Sequence, residues 1–340
     1  MAYLNSKRTR ALVRSCLVAA IKSRLLGTPM WVHFFLTRRC NLRCKYCFVV
    51  DSTTRELTTA EVKAAIDKLY SLGIRAIAFF GGEPTLRRDF CEILSYAHGR
   101  GFFTYFTTNG TLLDEAYIDN IARTGVDFVE LSVDAVYECN DSAKDYTRSR
   151  KVLESLLAAR NTYGFGLKTH LVLTRTNVES AIETIRFNHQ QGIPLTVGLV
   201  FRNVYSDLPD DDRLHFTDDA SKEKLLRTLD AIIALKRGGV QIIDPVSYFE
   251  NMKRYVNGST DWGCTAGKYS FSVDADGSVQ LCCSSKAFGD KLQSIDRHYF
   301  KNKRHEITRT LEWCQTRCYS NCHYTTAYLI EHPLRALLGG

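Results

Sequence analysis

Residues 30–48, MWVHFFLTRRCNLRCKYCF, join an apolar run to a basic loop that carries three cysteines. The apolar run has the length and the aromatic content of a buried β-strand. The loop places Cys40, Cys44 and Cys47 in a Cys-x3-Cys-x2-Cys pattern. Thiols this close together, directly after a strand, can bind different irons of one iron–sulfur cluster. The stretch therefore predicts a strand whose carboxyl end carries a metal centre.

Zinc binding and simple burial are two alternatives to an iron–sulfur cluster for the loop cysteines. Zinc ligands usually occur as paired Cys-x2-Cys units, and chance rarely places three buried free thiols so close beside a strand end. The chain has twelve cysteines, and its first apolar segment, ALVRSCLVAAIKSRLLG, is interrupted by charges and lacks a signal-cleavage site. We therefore expect reduced thiols in a cytoplasmic protein, with metal binding or catalysis as their role.

Strand-like and helix-like segments alternate after residue 30 and form six β/α units. Each helix-like segment is followed by a glycine or by the next strand, as helix ends usually are. The strand-like segments are MWVHFFLT, IRAIAFF, FFTYFTT, VDFVELSVDA, LKTHLVLT and PLTVGLVF. This alternation predicts an α/β fold with a parallel sheet and outer helices, and six units predict an incomplete (β/α)6 barrel of the TIM type.

The chain divides into three predicted regions. Residues 1–29 form a basic amphipathic helix, residues 30–240 form the partial barrel, and residues 241–340 form a small C-terminal domain. After residue 260 the pattern changes to short, cysteine-containing pieces. The segment YSFSVDADGSVQLCC predicts a hairpin, because Asp276-Gly277 between alternating residues is a strong turn signal.

Several motifs along residues 30–205 resemble, in the same order, those of the radical S-adenosylmethionine (SAM) superfamily. Cys40, Cys44 and Cys47 match the loop that binds a [4Fe-4S] cluster through three cysteines in that family. The segment FFGGEPTL resembles the GGEP motif after the second strand, and TTNGTLL resembles the end of the third strand. The resemblance implies a cluster with one iron left free for the amine and carboxylate of SAM.

The same resemblance implies which residues contact SAM. They lie in the cysteine loop or at the carboxyl ends of the strands, and they are Tyr46, Phe48, Gly81, Gly82, Glu83, Thr108, Asn109, Ser132, Asp134 and Arg148. Tyr46 and Phe48 correspond to adenine contacts, and Glu83 to an acceptor for the methionine amine. Arg148 resembles the arginine that meets the SAM carboxylate, with Arg150 as its rival.

The period of two along the fourth strand places Glu130, Ser132 and Asp134 on one face, which we expect to point into the barrel. On the fifth strand, Lys168 and His170 share a face in the same way. A substrate contact, a core position and a surface position all stay open for these last two residues.

The C-terminal cysteines resemble the SPASM/twitch extension of the superfamily, which carries auxiliary iron–sulfur clusters. The match is partial, because Ser270 stands where a second cysteine is expected. It implies one auxiliary [4Fe-4S] cluster, with ligands drawn from Cys264, Cys282, Cys314, Cys318 and Cys322. The leading ligands are Cys264, Cys282, Cys318 and Cys322. Cys314 is their close rival, and Cys283 is less favoured. Zinc stays an alternative, because its ligand chemistry overlaps.

Three cysteines fall outside both groups. Cys16 and Cys91 lie in helical patterns and are predicted to pack in the protein interior. Cys139 follows the fourth strand. It is either a hydrogen donor in catalysis or a buried cysteine without a catalytic role.

The chemistry that the resemblance implies is reductive cleavage of SAM to methionine and a 5′-deoxyadenosyl radical. The radical abstracts hydrogen from a substrate, and the auxiliary cluster takes part in electron transfer. A reductant such as flavodoxin or ferredoxin is the implied partner. A non-catalytic iron–sulfur electron carrier or scaffold is the alternative, against which the GGEP motif argues.

The sequence leaves a lipid, a small metabolite and a peptide open as substrates. The net charge is +8, and residues 7–27 read as a basic amphipathic helix that suits an anionic membrane surface. A helix that caps the open barrel explains these residues equally well. Residues 1–29 are too few for a leader-binding domain, which disfavours a peptide. No nucleic-acid partner is expected, because no RNA-binding motif is present.

Overall fold

A computed structural model describes residues 7–138, 141–200, 212–260, 262–285 and 287–332, with side chains from residue 17 onward. Six parallel strands follow one another in the sheet in chain order, and three further strands extend the sheet beyond the first. The strands are β1 (Trp31–Thr37), β2 (Ala76–Gly81), β3 (Phe103–Thr108), β4 (Phe128–Ser132), β5 (Gly166–Leu173), β6 (Leu195–Leu199), β7 (Ser270–Val273), β8 (Ser278–Gln280) and β9 (Ala287–Lys291). Their order is β6-β5-β4-β3-β2-β1-β7-β8-β9.

Helices connect the parallel strands, so the predicted (β/α)6 partial barrel is confirmed. The barrel helices are α1 (Lys7–Leu26), α2 (Thr59–Ser71), α3 (Phe90–Gly99), α4 (Glu115–Arg123), α5 (Tyr146–Tyr163), α6 (Ala181–Gln190) and α7 (Asp219–Arg237). The later helices are α8 (Val246–Val256), α9 (Tyr299–Asn302), α10 (Arg304–Gln315) and α11 (Asn321–Glu331).

Local sequence signals explain where these elements begin and which way they face. Helix α2 starts at a capping box, in which the Thr58 side chain accepts from the Glu61 amide and Glu61 accepts from the Thr58 amide. Along β4, Val129 and Leu131 pack in the core between sheet and helices. Because strand side chains alternate, Glu130 and Ser132 point to the barrel interior. The interior face of the sheet therefore carries the polar residues.

The C-terminal hairpin continues the barrel sheet instead of forming a sheet of its own. Strand β7 pairs in parallel with β1, so that His33 lies opposite Ser272. Gly277 adopts φ 82° in the turn before β8, a conformation that other residues rarely adopt, as the Asp276-Gly277 signal predicts. Arg38 donates two hydrogen bonds to the Asp274 carboxylate, at 2.8 and 2.7 Å, and ties the cysteine loop to this hairpin. The predicted domain division at residue 240 stays a prediction, since one sheet crosses it.

Helix α1 packs on α11 through one face. Ala20, Ala327 and Ile330 share a small buried cluster with Met30 and Tyr269. Within the described ranges, no helix combines the length and the apolar character needed to cross a bilayer.

Candidate active site

A cavity of about 130 Å³ lies at the carboxyl ends of the first strands. All three loop cysteines, Cys40, Cys44 and Cys47, line it. Six of the predicted SAM contacts line it as well, and these are Gly81, Gly82, Glu83, Thr108, Asn109 and Ser132. The structure thus brings together the predicted residues from Cys40 to Ser132, at the carboxyl ends of β2 to β4 and in the loops that follow β1 to β3.

The carboxylate of Glu83 is held firmly at this cavity. Its Oε1 atom accepts hydrogen bonds from the hydroxyls of Thr85 and Thr108, at 2.5 and 2.8 Å, while Oε2 accepts from the Asn109 amide at 2.7 Å. Burial raises the pKa of Glu83, and these hydrogen bonds act in the opposite direction. The Oε2 atom keeps acceptor capacity for a further donor, such as an amine.

Gly81 and Gly82 allow a close contact between two loops of the protein, whereas their sequence motif predicts a close approach to a ligand. A Cβ atom on Gly82 would lie 2.2 Å from the Arg39 carbonyl oxygen, and one on Gly81 would lie 2.5 Å from the Thr37 carbonyl oxygen. The Gly82 amide also donates to the Thr37 carbonyl oxygen at 2.8 Å. These glycines therefore let the loop after β2 pack directly against the cysteine loop, in addition to any ligand they approach.

Asn109 connects the third strand to the cysteine loop. Its side-chain Nδ2 donates to the side-chain Oδ1 of Asn41 at 3.0 Å and lies 3.8 Å from the Cys40 sulfur. Its own Oδ1 atom accepts from the Thr111 amide at 2.9 Å, which fixes the orientation of the side chain. The position of Cys40 thus depends on contacts from a different β/α unit.

A second network lies beside the cavity, around Asp134. The buried Asp134 carboxylate accepts a short hydrogen bond from the Tyr46 hydroxyl and another from the Ser142 hydroxyl at 2.6 Å. Lys144 donates to the Tyr46 hydroxyl at 3.1 Å, and its ammonium lies 5.2 Å from the centre of the Tyr46 ring. Lys144 also lines the cavity, which the sequence did not indicate. Asp134 therefore acts here on Tyr46, and the structure does not place it in the cavity lining.

Arg148 does not line this cavity, and its predicted contact with SAM stays a prediction. It belongs to the first turn of α5, and its guanidinium binds the capping Asp145 at 2.9 Å and Glu138 at 2.6 Å. Its rival Arg150 is exposed on the same helix. Phe48, directly after the last loop cysteine, is half-buried and does not line the cavity. Neither arginine lines the cavity.

The interior of the barrel holds a buried ion pair below the cavity. Lys168 Nζ lies 2.6 Å from Glu130 Oε2, with side-chain exposures of 16% and 6%. Burial opposes ionisation of Glu130, but the Lys168 ammonium, His170 and hydrogen bonds from Lys168 and Tyr105 together outweigh burial and lower the pKa of this carboxyl to about 2. His170 Nδ1 lies 2.9 Å from the Thr196 hydroxyl, and burial lowers the pKa of His170. Lys168 and His170 therefore face the interior and not the outer surface.

The thiol of Cys318 lies close enough to four other C-terminal thiols to interact with them electrostatically. Burial raises the pKa of Cys318, and these thiols contribute in the same direction, those of Cys282, Cys264, Cys314 and Cys322. For Cys264, burial is again the main cause, followed by Cys282 and Cys314. Cys314 thus neighbours both Cys264 and Cys318, which favours it over Cys322 as the fourth member of the group.

Cys322 faces the barrel interior instead. Burial raises its pKa to about 11, and the strongest charged neighbours are Glu130, which raises it, and Lys168, which lowers it. The next residue, His323, lies 5.7 Å from His33 between ring centres, and its Nδ1 is 2.9 Å from the Ser270 hydroxyl. The start of α11 therefore lies between the interior ion pair and the C-terminal thiols.

The donor sets fit iron–sulfur clusters by their chemistry. All ten cysteines whose side chains are described are free thiols. In the described part of the chain, no three His, Cys, Asp or Glu side chains converge closely enough to share one metal ion. A cubane does not require such convergence, because each thiolate binds a different iron. Cys139 lies outside the described residues, and the side chain of Cys16 does so too, while Cys91 is half-buried against the core.

Comparison with known proteins places this site in a family. Residues 34–201 match the radical SAM superfamily. Fe-coproporphyrin III synthase of Methanosarcina barkeri is 41% identical over 109 residues, which cover 31% of this chain and 27% of that protein. PqqA peptide cyclase of Bradyrhizobium diazoefficiens is 28% identical over 200 residues, which cover 58% of this chain and 46% of that protein. The chain thus spans less than half the length of either curated relative.

The fold has a similar counterpart among solved structures. SuiB of Streptococcus suis, crystallised with bound SAM, superimposes with a TM-score of 0.65 at 15% identity, over 86% of this chain and 73% of that one. At this identity the likeness concerns the fold alone. Residues 34–201 of the chain form a domain of the radical SAM superfamily, whose members use SAM and a [4Fe-4S] cluster.

Proposed function

We propose that the chain is a radical SAM enzyme that cleaves SAM reductively and abstracts hydrogen from a substrate. The observation that carries this proposal is the cavity, which gathers the three loop thiols with Glu83 and Asn109 on one rim. Three thiols leave one iron of a cubane free for a ligand. A simple electron carrier has no need of an open cavity beside its cluster.

Each group of residues has a proposed task at this site. Cys40, Cys44 and Cys47 would hold the cluster, which supplies the electron that breaks a carbon–sulfur bond of SAM. Glu83 would accept a hydrogen bond from the methionine amine with the free capacity of its Oε2 atom. Ser132, which lines the same cavity, would contact the nucleoside. The radical SAM unit proposed here covers residues 30–240.

The test is formation of 5′-deoxyadenosine. Anaerobically reconstituted protein, given SAM and dithionite, is expected to produce 5′-deoxyadenosine and methionine in equal amounts. The variant Cys40→Ala/Cys44→Ala/Cys47→Ala is expected to produce neither and to keep about half of the iron, since each cubane holds four irons. Cys91→Ala, which removes a half-buried thiol of α3, is the matched control. If the wild-type protein forms no 5′-deoxyadenosine, the carrier alternative replaces this proposal.

The C-terminal region, residues 241–340, is proposed to hold one auxiliary [4Fe-4S] cluster of the SPASM/twitch kind. Its proposed ligands are Cys264, Cys282, Cys314 and Cys318, because Cys282 and Cys314 are electrostatic neighbours of both Cys264 and Cys318. This set replaces Cys322, which the sequence favoured, by Cys314. The proposed role is electron transfer with the substrate and with a reductant such as flavodoxin or ferredoxin.

The proposed substrate is a peptide. The relative that matches the longer part of this chain is named a peptide cyclase. The substrate would bind in the barrel interior, where the Glu130–Lys168 pair offers both an acceptor and a donor. The other curated relative is named for a porphyrin product, so an experiment must distinguish these classes.

Deuterium transfer identifies the substrate class even when the substrate itself is unidentified. Extract from cells grown in D₂O is separated into peptide, lipid and small-molecule fractions. Each fraction is incubated with reduced enzyme and unlabelled SAM, and 5′-deoxyadenosine is analysed by mass spectrometry. Abstraction from a deuterated substrate puts deuterium into 5′-deoxyadenosine. Labelling by the peptide fraction supports the proposal, whereas labelling by the lipid or small-molecule fraction alone contradicts it.

The outer face of α1 is proposed to contact an anionic membrane surface. Val18, Ile21 and Leu25 are 45%, 47% and 78% exposed, and Lys22 lies among them. Flotation with anionic and with neutral vesicles tests this contact. Leu25→Glu is expected to abolish flotation, whereas Tyr163→Glu, which charges an exposed residue on α5, is expected to leave it unchanged. Failure of the wild-type protein to float with anionic vesicles would leave the barrel-capping role for α1.

A further inference from the structure

We infer that Lys144 binds the carboxylate of SAM, in the place for which the sequence motif suggested Arg148. The inference rests on the proposed function and assigns one residue of that site. Lys144 is the only cationic side chain among the described residues that line the cavity. Glu83 is the only anionic carboxylate in that described lining. The methionine part of SAM carries one ammonium and one carboxylate, so a single acid and a single base match its charges.

The hydrogen bonding of Lys144 leaves donors for such a ligand. An ammonium has three N–H donors. Among the described residues, the one hydrogen-bond partner of Lys144 Nζ is the Tyr46 hydroxyl, at 3.1 Å. No described carboxylate lies within ion-pair distance of it. A half-buried ammonium with two donors to spare, at the wall of a cavity, is a site for an anionic group.

The backbone around Lys144 holds it in this place. Its carbonyl oxygen accepts a hydrogen bond from the Asp134 amide at 2.6 Å. The Tyr46 hydroxyl that Lys144 contacts is itself bound to the Asp134 carboxylate. The backbone of Lys144 is therefore bound to the segment after β4 and its ammonium to the cysteine loop, so a ligand does not have to order it. Such preorganisation increases affinity.

Lys144 also lies near the cluster thiols, which suggests another role to be separated from the first. Burial raises the pKa of Cys44 to about 11, and the Lys144 ammonium acts against this rise. A lysine that only balances the charge of a cluster would affect every SAM analogue equally. A lysine that binds the carboxylate affects only ligands that have one.

The two arginines that the sequence suggested for the SAM carboxylate either bind other groups or lie exposed on α5. Arg148 makes ion pairs with Asp145 and Glu138. Arg150 is exposed on α5. A guanidinium that already binds two carboxylates has little attraction left for a third. The lysine four residues before Arg148 therefore takes the role that the family resemblance gave to an arginine.

The experiment is a binding cycle with two ligands on the reconstituted holoenzyme. The ligands are SAM and decarboxylated SAM, which differ by the α-carboxylate alone. Dissociation constants are measured anaerobically by equilibrium dialysis for the wild type and for Lys144→Met, Lys144→Arg and Arg148→Gln. Iron content and the electron paramagnetic resonance signal of the reduced cluster are recorded for each variant.

Lys144→Met is expected to weaken SAM binding by about 10- to 100-fold, the effect of a lost charge-assisted hydrogen bond. Its binding of decarboxylated SAM is expected to change by less than about threefold. Lys144→Arg is expected to keep most of the discrimination, and Arg148→Gln to behave like the wild type with both ligands. These results together would support the assignment.

Three results would overturn it. Equal weakening of both ligands by Lys144→Met would mean a general electrostatic role. Selective loss of SAM binding in Arg148→Gln would restore the arginine. Loss of the loop cluster in both Lys144 variants, seen in iron content and resonance signal, would mean a structural role. Failure of the wild type to bind SAM is a separate result, because it contradicts the proposed function itself.

Discussion

The two groups of cysteines in this chain have contrasting surroundings. The loop thiols, Cys40, Cys44 and Cys47, lie on one short loop and border a cavity. The C-terminal thiols come from separate segments, and Cys264 and Cys282 pack against a small apolar cluster that includes Leu281. Three thiols at a cavity would leave one iron of a cubane free for a ligand, whereas four thiols would complete the ligation of a cubane.

The surroundings also change the acidity of the thiols. Burial raises the pKa of Cys40 moderately, and a nearby ammonium limits the rise for Cys44. At the C-terminal site, burial and neighbouring thiols raise the pKa values of Cys264 and Cys318 further. Metal binding must displace the protons of these thiols. Ionisation of the C-terminal thiols therefore depends more strongly on a bound metal than ionisation of the loop thiols does. The contrast predicts an exchangeable, ligand-binding site in one place and a closed redox site in the other.

The largest expected effect concerns the closed site. Cys318→Ser is expected to lose about half of the iron and to keep SAM binding, because only one of two four-iron cubanes is removed. Iron analysis and equilibrium dialysis with SAM measure the two properties, and Cys91→Ser provides the control. Unchanged iron in Cys318→Ser would break the comparison, because it would leave the C-terminal thiols without a cluster.

The next largest effect concerns the region between the two sites. Lys168→Met leaves Glu130 buried without its cation, which disturbs the interior where the substrate is proposed to bind. We expect unlabelled 5′-deoxyadenosine still to form, while deuterium transfer from the active fraction falls by about 100-fold. The double variant Glu130→Gln/Lys168→Met, which leaves no unpaired charge, is the control for stability. Full deuterium transfer by Lys168→Met would show that the ion pair has no part in substrate positioning.

A third test sharpens the picture of the open site. Gly82→Ala adds a Cβ atom 2.2 Å from the Arg39 carbonyl oxygen, so the cysteine loop must shift. We expect SAM affinity to fall by about tenfold and the free energy of unfolding to fall by about 1–3 kcal/mol. Equilibrium dialysis and urea denaturation provide these values. Gly99→Ala on α3, where a Cβ atom meets nothing within 4 Å, is expected to lower neither the SAM affinity nor the free energy of unfolding.

The smallest effect is a pH dependence of stability that arises between the sites. Burial lowers the pKa of His33 from 6.5 to about 3. Because the folded-state value is the lower one, the unfolded chain binds the extra proton between these pH values, and stability falls as pH falls through this window. His33 should make the free energy of unfolding about 0.8 kcal/mol lower at pH 6.0 than at pH 7.5. Urea denaturation of His33→Phe at both pH values should show a smaller difference, and an unchanged difference contradicts the prediction.

Much of the fold followed from local patterns. The six parallel strands lie where apolar or alternating segments predict them, because strand periodicity and helix caps are local signals. The pairing of β7 with β1 had no such signal, since it joins residues more than 230 positions apart. The sequence pattern of a short hairpin is the same whether the hairpin forms its own sheet or extends another sheet.

The candidate site was predictable where chemistry is carried by a short motif. The cysteine loop, the GGEP segment and Asn109 all lie at the cavity, as their order along the chain suggested. Arg148 lies outside the cavity lining, and its guanidinium binds Asp145 and Glu138, partners that a motif cannot reveal. Lys144 was missed because a lysine in a polar loop is usually a solvated side chain.

The sequence by itself determined the thiol loop, the six β/α units and the polar inner face of β4, because spacing and alternation are properties of neighbouring residues. Tertiary structure alone decided which C-terminal thiols are electrostatic neighbours, which cation borders the cavity, and why Gly82 must lack a side chain. Those features depend on distances between segments far apart in the chain, and only the packed sheet and helices fix such distances.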